Sequence, residues 1–186
     1  MSTKTTSKTN WTMPSLSQGQ DALWGAAAYE LPPMGTPKND VLKGTNSLDG
    51  FYGQAGNDVI YGYGGGDVLA GGTGNDKIYG GAGKDTFFFD SKLNATTNVD
   101  KIMDFKAADD IMSLTRSIFK TISRGALKET AFYVGKKAHD EDDRIIYDKK
   151  TGSLFYDKDG AGGAAQIKFA TLVNKTAITH MDFVII

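Results

Sequence analysis

Residues 35–88 read GTPKNDVLK, GTNSLDGFY, GQAGNDVIY, GYGGGDVLA, GGTGNDKIY and GGAGKDTFF, which are six nine-residue units with no gap between them. Every unit begins with glycine, has aspartate at its sixth place and has an apolar residue at its eighth place. The aspartates are Asp40, Asp49, Asp58, Asp67, Asp76 and Asp85. The apolar series is Leu42, Phe51, Ile60, Leu69, Ile78 and Phe87. A fixed period of this kind indicates a repeat architecture in which each unit forms one structural element.

Each unit divides into a turn and a short strand. Glycine pairs such as Gly71-Gly72 permit positive φ, so the turn can direct its carbonyl groups to one side. The last three residues, for example Val59-Ile60-Tyr61, are too few for a helix but suffice for a strand whose middle side chain points inward. The sequence therefore predicts alternating turns and three-residue strands with one apolar side chain per unit in the core.

The pattern resembles the nonapeptide GGxGxDxUx of the RTX (repeats in toxin) family, whose units wind a parallel β-roll around calcium. The resemblance implies an all-β fold with a calcium-binding parallel β-roll over residues 35–88. A C-terminal β-rich region with short helices, residues 89–186, would cap that roll. Residues 1–34 are interpreted as a leader that either caps the first coil through Leu23, Trp24 and Tyr29 or forms a disordered tether.

The resemblance also implies where calcium would bind. Calcium takes about six to eight oxygen ligands, so a site needs carboxylates together with backbone carbonyls. In the RTX roll two units make one coil, and an ion lies between turns that are eighteen residues apart in sequence. The lower turn supplies carbonyls from its second and fourth places, the upper turn supplies them from its first and third places, and both supply their aspartate.

Carried onto this chain, that arrangement implies four calcium ions. The aspartate pairs would be Asp40 with Asp58, Asp58 with Asp76, Asp49 with Asp67, and Asp67 with Asp85. The turn residues that would offer carbonyls are Gly53, Gln54, Ala55, Gly56, Gly62, Tyr63, Gly64, Gly65, Gly71, Gly72, Thr73, Gly74, Gly80, Gly81, Ala82 and Gly83.

The ends of the array depart from the family pattern. The first two units have Thr36 and Lys38, then Thr45 and Ser47, where the family has glycine, so we expect weaker or missing ions there. The last turns have no seventh unit to face. Asp90 or Asp100 is the candidate that would complete them.

An ordinary-turn interpretation competes with the metal interpretation, because Asn and Asp favour turns without any ion. Unrelated turns would not keep aspartate at one place through six units. Aspartates stacked about 5 Å apart would also repel one another strongly without a cation between them. We therefore expect metal binding and folding to be coupled.

Residues 89–186 contain less glycine and more alternating apolar patterns. Residues 100–105, DKIMDF, followed by Asp109-Asp110-Ile111, resemble the segment that follows the roll in serralysin-type RTX metalloproteases. Residues 144–147 and 153–156 predict a hairpin, residues 166–169 and 182–186 predict further strands, and residues 117–122 predict one short helix. The run Asp157-Lys-Asp-Gly lacks the twelfth-place Glu of an EF-hand, since Lys168 is there, and is read as a turn. The acidic run 140–143 is read as a solvated loop, with a further cation site as the alternative.

Composition limits the function classes. The chain has no cysteine, which excludes disulfides and thiolate metal sites, and it has no apolar run near the length of a membrane span. Only His139 and His180 are available as histidines, no H-E-x-x-H or G-x-S-x-G motif occurs, and no phosphate-binding loop is completed. With about 34 residues before the roll, we expect a protein that is not an enzyme.

The chain ends suggest an export route. Residues 1–20 lack a hydrophobic segment, so we expect no cleaved Sec signal. The ending Asp182-Phe-Val-Ile-Ile is similar to the uncleaved C-terminal signal of type I secreted RTX proteins. The resemblance implies a secreted, extracellular or cell-surface protein that interacts with the type I secretion apparatus and folds on calcium outside the cell.

Two alternatives to that function stay open. The net charge is −1, and four calcium ions would raise it to +7, because each adds two charges. A loaded molecule of this kind could act as an adhesin or matrix protein that binds acidic extracellular polysaccharide. The chain could also be the noncatalytic module of a larger secreted enzyme. Neither nucleic acid binding nor a membrane span is expected.

Overall fold

The computed structural model of the protein describes residues 34–186, and each repeat unit in it contributes one short parallel strand. The strands are β1 (Val41–Lys43), β2 (Gly50–Tyr52), β3 (Val59–Tyr61), β4 (Val68–Ala70), β5 (Lys77–Tyr79) and β6 (Thr86–Phe89). The predicted middle residues point inward: Phe51, Ile60, Leu69, Ile78 and Phe87 are at most 2% exposed. Leu42, in the first coil, is partly buried and packs against them.

Strands eighteen residues apart pair in parallel, so odd and even units form two different sheets. Val59 lies beside Val41 and Lys77 lies beside Val59 in the first sheet. Val68 lies beside Gly50 and Thr86 lies beside Val68 in the second. The chain therefore winds as a roll with two units per coil, as the nonapeptide predicts.

Both sheets continue without interruption into the C-terminal region. The strands that follow are β7 (Asp100–Ile102), β8 (Ile111–Leu114), β9 (Gly125–Ala126), β10 (Phe132–Val134), β11 (Ile145–Asp148), β12 (Ser153–Tyr156), β13 (Ile167–Leu172) and β14 (Phe183–Ile185). The eight-stranded sheet has the order β1-β3-β5-β7-β13-β12-β11-β10, and the six-stranded sheet has the order β2-β4-β6-β8-β14-β9. Three short 3-10 helices, Glu129–Ala131, Gly160–Gly162 and His180–Asp182, complete the described elements.

The core extends from the roll into the C-terminal region as one cluster. Phe87 packs at a ring distance of 5.7 Å from Phe105, a residue of the segment after the repeats. Phe169 of β13 has edge-on contacts with Phe89 at 5.2 Å and with Phe119 at 5.3 Å. Aromatic side chains of the C-terminal region thus cover the apolar interior that the last coil would otherwise expose.

The predicted strands of the C-terminal region are confirmed, and the predicted helix is wrong. The strands β11 and β12 form the predicted antiparallel hairpin, and β13 and β14 overlap the other two predicted strands, with β13 extending three residues further than predicted. Residues 117–122 form turns, in which Phe119 donates to the Thr115 carbonyl and Ile122 to the Phe119 carbonyl. The segment is too short to propagate a helix, and its apolar side chains Phe119 and Ile122 are held by the core instead.

Two further sequence predictions concern the rest of the chain. Among residues 34–186, no helix has the length and apolar character needed to cross a bilayer. The capping role considered for Leu23, Trp24 and Tyr29 lies outside the described residues.

Candidate calcium sites at the turns of the roll

The repeat aspartates form two columns, one along each edge of the roll. The backbone N–H of each of the first four aspartates donates to Oδ1 of the aspartate eighteen residues later. On edge one the bonds run from Asp40 to Asp58 (2.8 Å) and from Asp58 to Asp76 (2.7 Å). On edge two they run from Asp49 to Asp67 (2.8 Å) and from Asp67 to Asp85 (2.9 Å). The phase of the repeat therefore places six carboxylates in two ordered rows.

The C-terminal region extends both columns by one aspartate. Asp76 N–H donates to Asp100 Oδ1 at 3.2 Å, and Asp85 N–H donates to Asp110 Oδ1 at 3.1 Å. Sequence reasoning named Asp100 but not Asp110 as a candidate ligand. The sequence does contain a signal for both residues. Each aspartate precedes an inward apolar residue by two places, as in the repeats: Asp100 precedes Ile102 and Asp110 precedes Met112. Asp90 lies outside both columns, and its carboxylate accepts a hydrogen bond from Ser91 Oγ at 3.1 Å.

The second carboxylate oxygen of four column aspartates has no hydrogen-bond donor. These oxygens are Oδ2 of Asp58, Asp67, Asp76 and Asp85, and all four are buried. The four residues are at most 1% exposed. A buried carboxylate oxygen without a partner is costly. A cation is the partner that a pair of stacked carboxylates can share, so these residues fit calcium.

The glycine at the first place of a unit provides the space in which that oxygen lies. A Cβ on Gly53 would collide with Asp58 Oδ2 and with the carbonyl oxygen of Gly71. A Cβ on Gly62 would likewise collide with Asp67 Oδ2 and with the carbonyl oxygen of Gly80. A carboxylate oxygen and the first-place carbonyl of the next turn therefore converge on one small space, as an oxygen-ligated cation requires.

The carbonyls of stacked turns point toward one another, from the same places of each unit as in the family pattern. The second-place and fourth-place carbonyls of Gln54 and Gly56 approach Gly72 and Gly74 in the turn above. In return, the third-place carbonyl of Thr73 accepts from Gly56 N–H at 3.0 Å. Tyr63, Gly65, Gly81, Gly83 and Ala82 repeat this arrangement on edge two. Each carbonyl has two lone pairs, so one that accepts an N–H can still face an ion.

The first turn on each edge differs, as the missing glycines predict. Asp40 Oδ2 accepts from Thr36 N–H at 2.6 Å and from Thr36 Oγ1 at 2.8 Å. Asp49 Oδ2 accepts from Thr45 N–H at 2.6 Å and from Thr45 Oγ1 at 2.9 Å. Threonine at the second place therefore satisfies with hydrogen bonds the oxygen that is unpartnered in later units.

The last turn of edge two is closed by residues of the C-terminal region. Asp104 accepts from Gly80 N–H at 2.9 Å and from Gly81 N–H at 3.0 Å. The Lys106 ammonium group donates to the Gly81 carbonyl. Gly81 is at the second place of its unit. In earlier units the second-place carbonyl faces the next turn, whereas the Gly81 carbonyl contacts the positive charge of Lys106.

Edge one has an additional ladder made by asparagine at the fifth place. Asn39 Oδ1 accepts from Asn57 N–H at 2.7 Å, and Asn57 Oδ1 accepts from Asn75 N–H at 2.8 Å. Asn75 Oδ1 then accepts from Val99 N–H at 2.8 Å, one residue before Asp100. Edge two has Leu48, Gly66 and Lys84 at this place. The two edges are therefore chemically different, although the aspartates are the same.

Burial in the columns raises the pKa of the carboxylates. The pKa of Asp58 and of Asp67 rises to about 6, because burial disfavours the charged form and the neighbouring aspartates add repulsion. Burial also raises the pKa of Asp76, Asp85, Asp100 and Asp110. The columns are thus in an environment that disfavours negative charge unless a cation is present.

The acidic loop at residues 140–143 is organised in a different way. Its nearest ligand atoms, on His139, Asp140 and Asp143, lie within 4.8 Å of one another. Asp143 Oδ2 accepts from the N–H groups of His139 (2.7 Å) and Asp140 (3.2 Å), and Asp140 Oδ1 accepts from those of Asp142 and Asp143. Backbone donors therefore serve these carboxylates without an ion. In the other loop, Asp157 Oδ1 accepts from Asp159 N–H at 3.2 Å, which is a turn contact as predicted.

Comparison with known proteins identifies the repeat segment. The family model for the RTX calcium-binding nonapeptide repeat (4 copies) matches residues 34–69 and 61–91. Residues 34–91 are RTX calcium-binding repeats. This confirms the resemblance found in the nonapeptides, and the degenerate first two units lie inside the matched range. A search of curated proteins finds no match to this chain.

Solved structures similar to this chain include two from Azotobacter vinelandii. The AlgE6R3 subunit from the mannuronan C5-epimerase is 24% identical, with 81% of this chain and 82% of that chain covered and a TM-score of 0.53. The AlgE6R2 subunit is 22% identical, with coverage of 82% and 91% and a TM-score of 0.52. At these identities the likeness shows the β-roll fold alone.

Proposed function

We propose that this RTX protein leaves the cell unfolded through a type I secretion apparatus and folds outside when it binds calcium. The observation that supports this most strongly is the set of four buried, unpartnered oxygens on Asp58, Asp67, Asp76 and Asp85. Such oxygens destabilise the metal-free fold, and calcium would supply their missing partner. Calcium is then a structural ligand.

The proposed ions lie between successive members of each column. The unpartnered oxygens favour sites at Asp58 with Asp76 and at Asp76 with Asp100 on edge one. On edge two they favour Asp67 with Asp85 and Asp85 with Asp110. At the Asp85/Asp110 site Lys106 takes the second-place carbonyl, so the ion would depend on the remaining oxygens. The number of sites is the four expected from the sequence, but the set is displaced by one coil toward the C-terminus. The reason is that Thr36 and Thr45 satisfy the first two aspartates.

The size of the effect is sufficient to control folding. Extracellular calcium modules have dissociation constants of about 10⁻⁴ to 10⁻³ M. A site at about ten times its dissociation constant adds about 1.4 kcal/mol to the free energy of unfolding, so four sites add about 6 kcal/mol. Small domains are stable by only about 5–15 kcal/mol. Low calcium inside the cell would therefore keep the roll unfolded and able to pass through a channel.

The C-terminus supports the export part of the proposal. The ending Asp182-Phe-Val-Ile-Ile is similar to type I secretion signals. In the folded chain Phe183 and Ile185 are buried in β14, which pairs with β8. The same residues could therefore be read by the export apparatus while the chain is unfolded and be covered once it has folded.

Circular dichroism during a calcium titration tests the proposed calcium-driven folding. We expect a gain of β signal with calcium but not with magnesium, and loss of that gain in Asp58→Asn/Asp67→Asn/Asp76→Asn. The matched control is Asp40→Asn/Asp49→Asn, which changes the aspartates already satisfied by threonine and should keep the response. A chain that is fully folded in chelator and unchanged by calcium would contradict the proposal.

A second candidate function is binding of acidic extracellular polysaccharide, either as an adhesin or matrix protein or as the noncatalytic module of a larger secreted enzyme. Both similar structures are subunits from an enzyme named for mannuronan. Filling four sites would also change the formal charge from −1 to +7, since each ion adds two charges. Retention on an acidic polymer that requires calcium and weakens with salt would favour this candidate.

A further inference from the structure

The two outer faces of the roll differ in charge. In the six-stranded sheet, the repeat strands β2, β4 and β6 and the adjoining β8 contain no charged residue. In the eight-stranded sheet, the exposed side chains on β1, β5 and β7 include Lys43, Lys77 and Lys101. The inward residues of these strands are apolar. Apart from the column aspartate Asp100, the charged side chains of these strands therefore lie on the outer surface of the sheet.

Lys77, Lys101 and Lys168 lie on three strands that follow one another in the sheet. Lys77 of β5 is in register with Lys101 of β7. The strand β13 follows β7 in the sheet, and the pKa of its Lys168 is lowered by partial burial and by the positive charge of Lys101. Within residues 34–186, no lysine or arginine nitrogen lies within 4.0 Å of a carboxylate oxygen. The positive charge is therefore not neutralised by ion pairs in the described part of the chain.

Tyrosines form a second row on the same surface. The ring of Tyr61 stacks on that of Tyr79 at 4.7 Å with an angle of 17°, and it also stacks with the ring of Tyr63 at 5.8 Å. Lys43 is in register with Tyr61 on the neighbouring strand. Stacked rings hold the side chains in place, so polar hydroxyl tips and ring edges are presented without further ordering.

We propose that this basic face, made by Lys43, Tyr61, Lys77, Tyr79, Lys101 and Lys168, binds an extended uronate polysaccharide that runs across the strands. The inference deepens the second candidate function and rests on calcium-driven folding outside the cell. Strand spacing of about 4.8 Å separates Lys77 from Lys101 and Tyr61 from Tyr79. A linear polymer with one carboxylate per sugar can meet such a row with successive charges and hydroxyl groups.

The residue types favour this ligand over other anionic polymers. Lysine is a flexible point charge that accepts carboxylates in varied geometry, whereas bidentate phosphate recognition favours arginine. The three arginines, Arg116, Arg124 and Arg144, all lie outside the strands of the roll. The tyrosines stack on one another instead of protruding singly, which does not suit insertion into a membrane. Calcium contributes by neutralising the aspartate columns that flank the face.

The test compares binding of a short oligomannuronate by isothermal titration calorimetry at saturating calcium. In Lys77→Gln/Lys101→Gln we expect binding about five- to tenfold weaker than in the unmodified chain, with a shallower salt dependence, from the loss of two surface charge contacts. The matched control is Lys120→Gln/Lys128→Gln, which removes two exposed lysines elsewhere and should bind as the unmodified chain does. A neutral dextran oligomer should not bind.

Other outcomes would overturn the inference. It fails if the Lys77/Lys101 variant binds with unchanged affinity, or if both variants weaken equally. It also fails if duplex DNA or phosphatidylserine vesicles bind to this face while the oligomannuronate does not. Circular dichroism of the same samples separates the two proposals: a chain without calcium-dependent folding contradicts the proposed function, whereas a calcium-folded chain that ignores the oligomer contradicts only the basic face.

Discussion

At the residue scale, the first-place glycine decides whether a turn can hold an ion. Gly53→Ala places a Cβ on Asp58 Oδ2 and on the Gly71 carbonyl, although the φ of Gly53 is not in the left-handed region. We expect the calcium midpoint of folding to rise about tenfold or more, because the site is blocked and the turn must shift, at a cost of about 2 kcal/mol. A calcium titration followed by circular dichroism measures the midpoint.

The matched control for this substitution is Gly64→Ala. The atoms nearest to a Cβ there lie at 3.5 Å or beyond, and its φ is also not positive. The calcium midpoint of folding should not rise in this variant. Alanine reduces the conformational entropy of the unfolded chain, which slightly favours the folded state. Equal effects of the two alanines would show that the first-place space has no special role.

Residue identities could be predicted from sequence where the period applies, and not beyond it. Asp58 and Asp76 follow from the phase, and their places in one column follow from the resemblance. Asp110 was missed because the insertions after the repeats break the count of nine, although it precedes an inward apolar residue by two places, as the repeat aspartates do. The ammonium group of Lys106 at the Gly81 carbonyl depends on how the chain turns after β7, which no local pattern encodes.

At the element scale, the asparagine ladder stabilises edge one separately from calcium. Asn57→Ala removes the acceptor for Asn75 N–H and leaves Asn39 Oδ1 paired. We expect the free energy of unfolding to fall by about 1 kcal/mol in saturating calcium, as for one lost hydrogen bond. Urea unfolding measures the change.

Lys84→Ala is the comparison for that variant, because it changes the fifth place on edge two, where no ladder exists. Its stability should be within about 0.5 kcal/mol of the unmodified chain, as for most surface substitutions. If Lys84→Ala were as destabilising as Asn57→Ala, the ladder would not be the cause.

Strand existence was predictable, but strand order was only partly so. The nonapeptide period and the resemblance together predict β1 to β6 and their pairing, and alternation predicts the β11–β12 hairpin. The insertion of β13 beside β7, and of β14 beside β8, depends on contacts between segments far apart in sequence, such as Ala170 with Asp100. The short helix predicted at residues 117–122 failed because core packing outweighed local propensity.

At the scale of the whole molecule, the calcium-free protein should become more stable when the solution is mildly acidified. The pKa of Asp58 and Asp67 is raised from 3.8 to about 6 in the folded state, so folding binds protons in this range. The destabilisation by charged aspartates is full above pH 6 and is relieved as the pH falls toward 4. In chelator, β signal and resistance to urea should therefore be greater at pH 5 than at pH 7.

With calcium present the pH effect should reverse, because protons compete with the ion for the same carboxylates. The calcium midpoint should be higher at pH 5 than at pH 7. In Asp58→Asn/Asp67→Asn the increase in calcium-free stability from pH 7 to pH 5 should be smaller, since these two groups no longer titrate. Loss of stability between pH 7 and pH 5 in the unmodified, calcium-free chain would contradict the prediction.

The alternation of units between two sheets restricts how such an array can gain or lose length. Deleting nine residues would move every later strand to the opposite sheet, so that Lys77 and Tyr79 would join the uncharged face and Asp100 would follow the wrong column. Deleting or duplicating eighteen residues keeps every strand in its sheet and every aspartate on its edge. Viable length variants of this protein should therefore differ by whole coils. Insertion of a single unit should disrupt the packing of every strand that follows it.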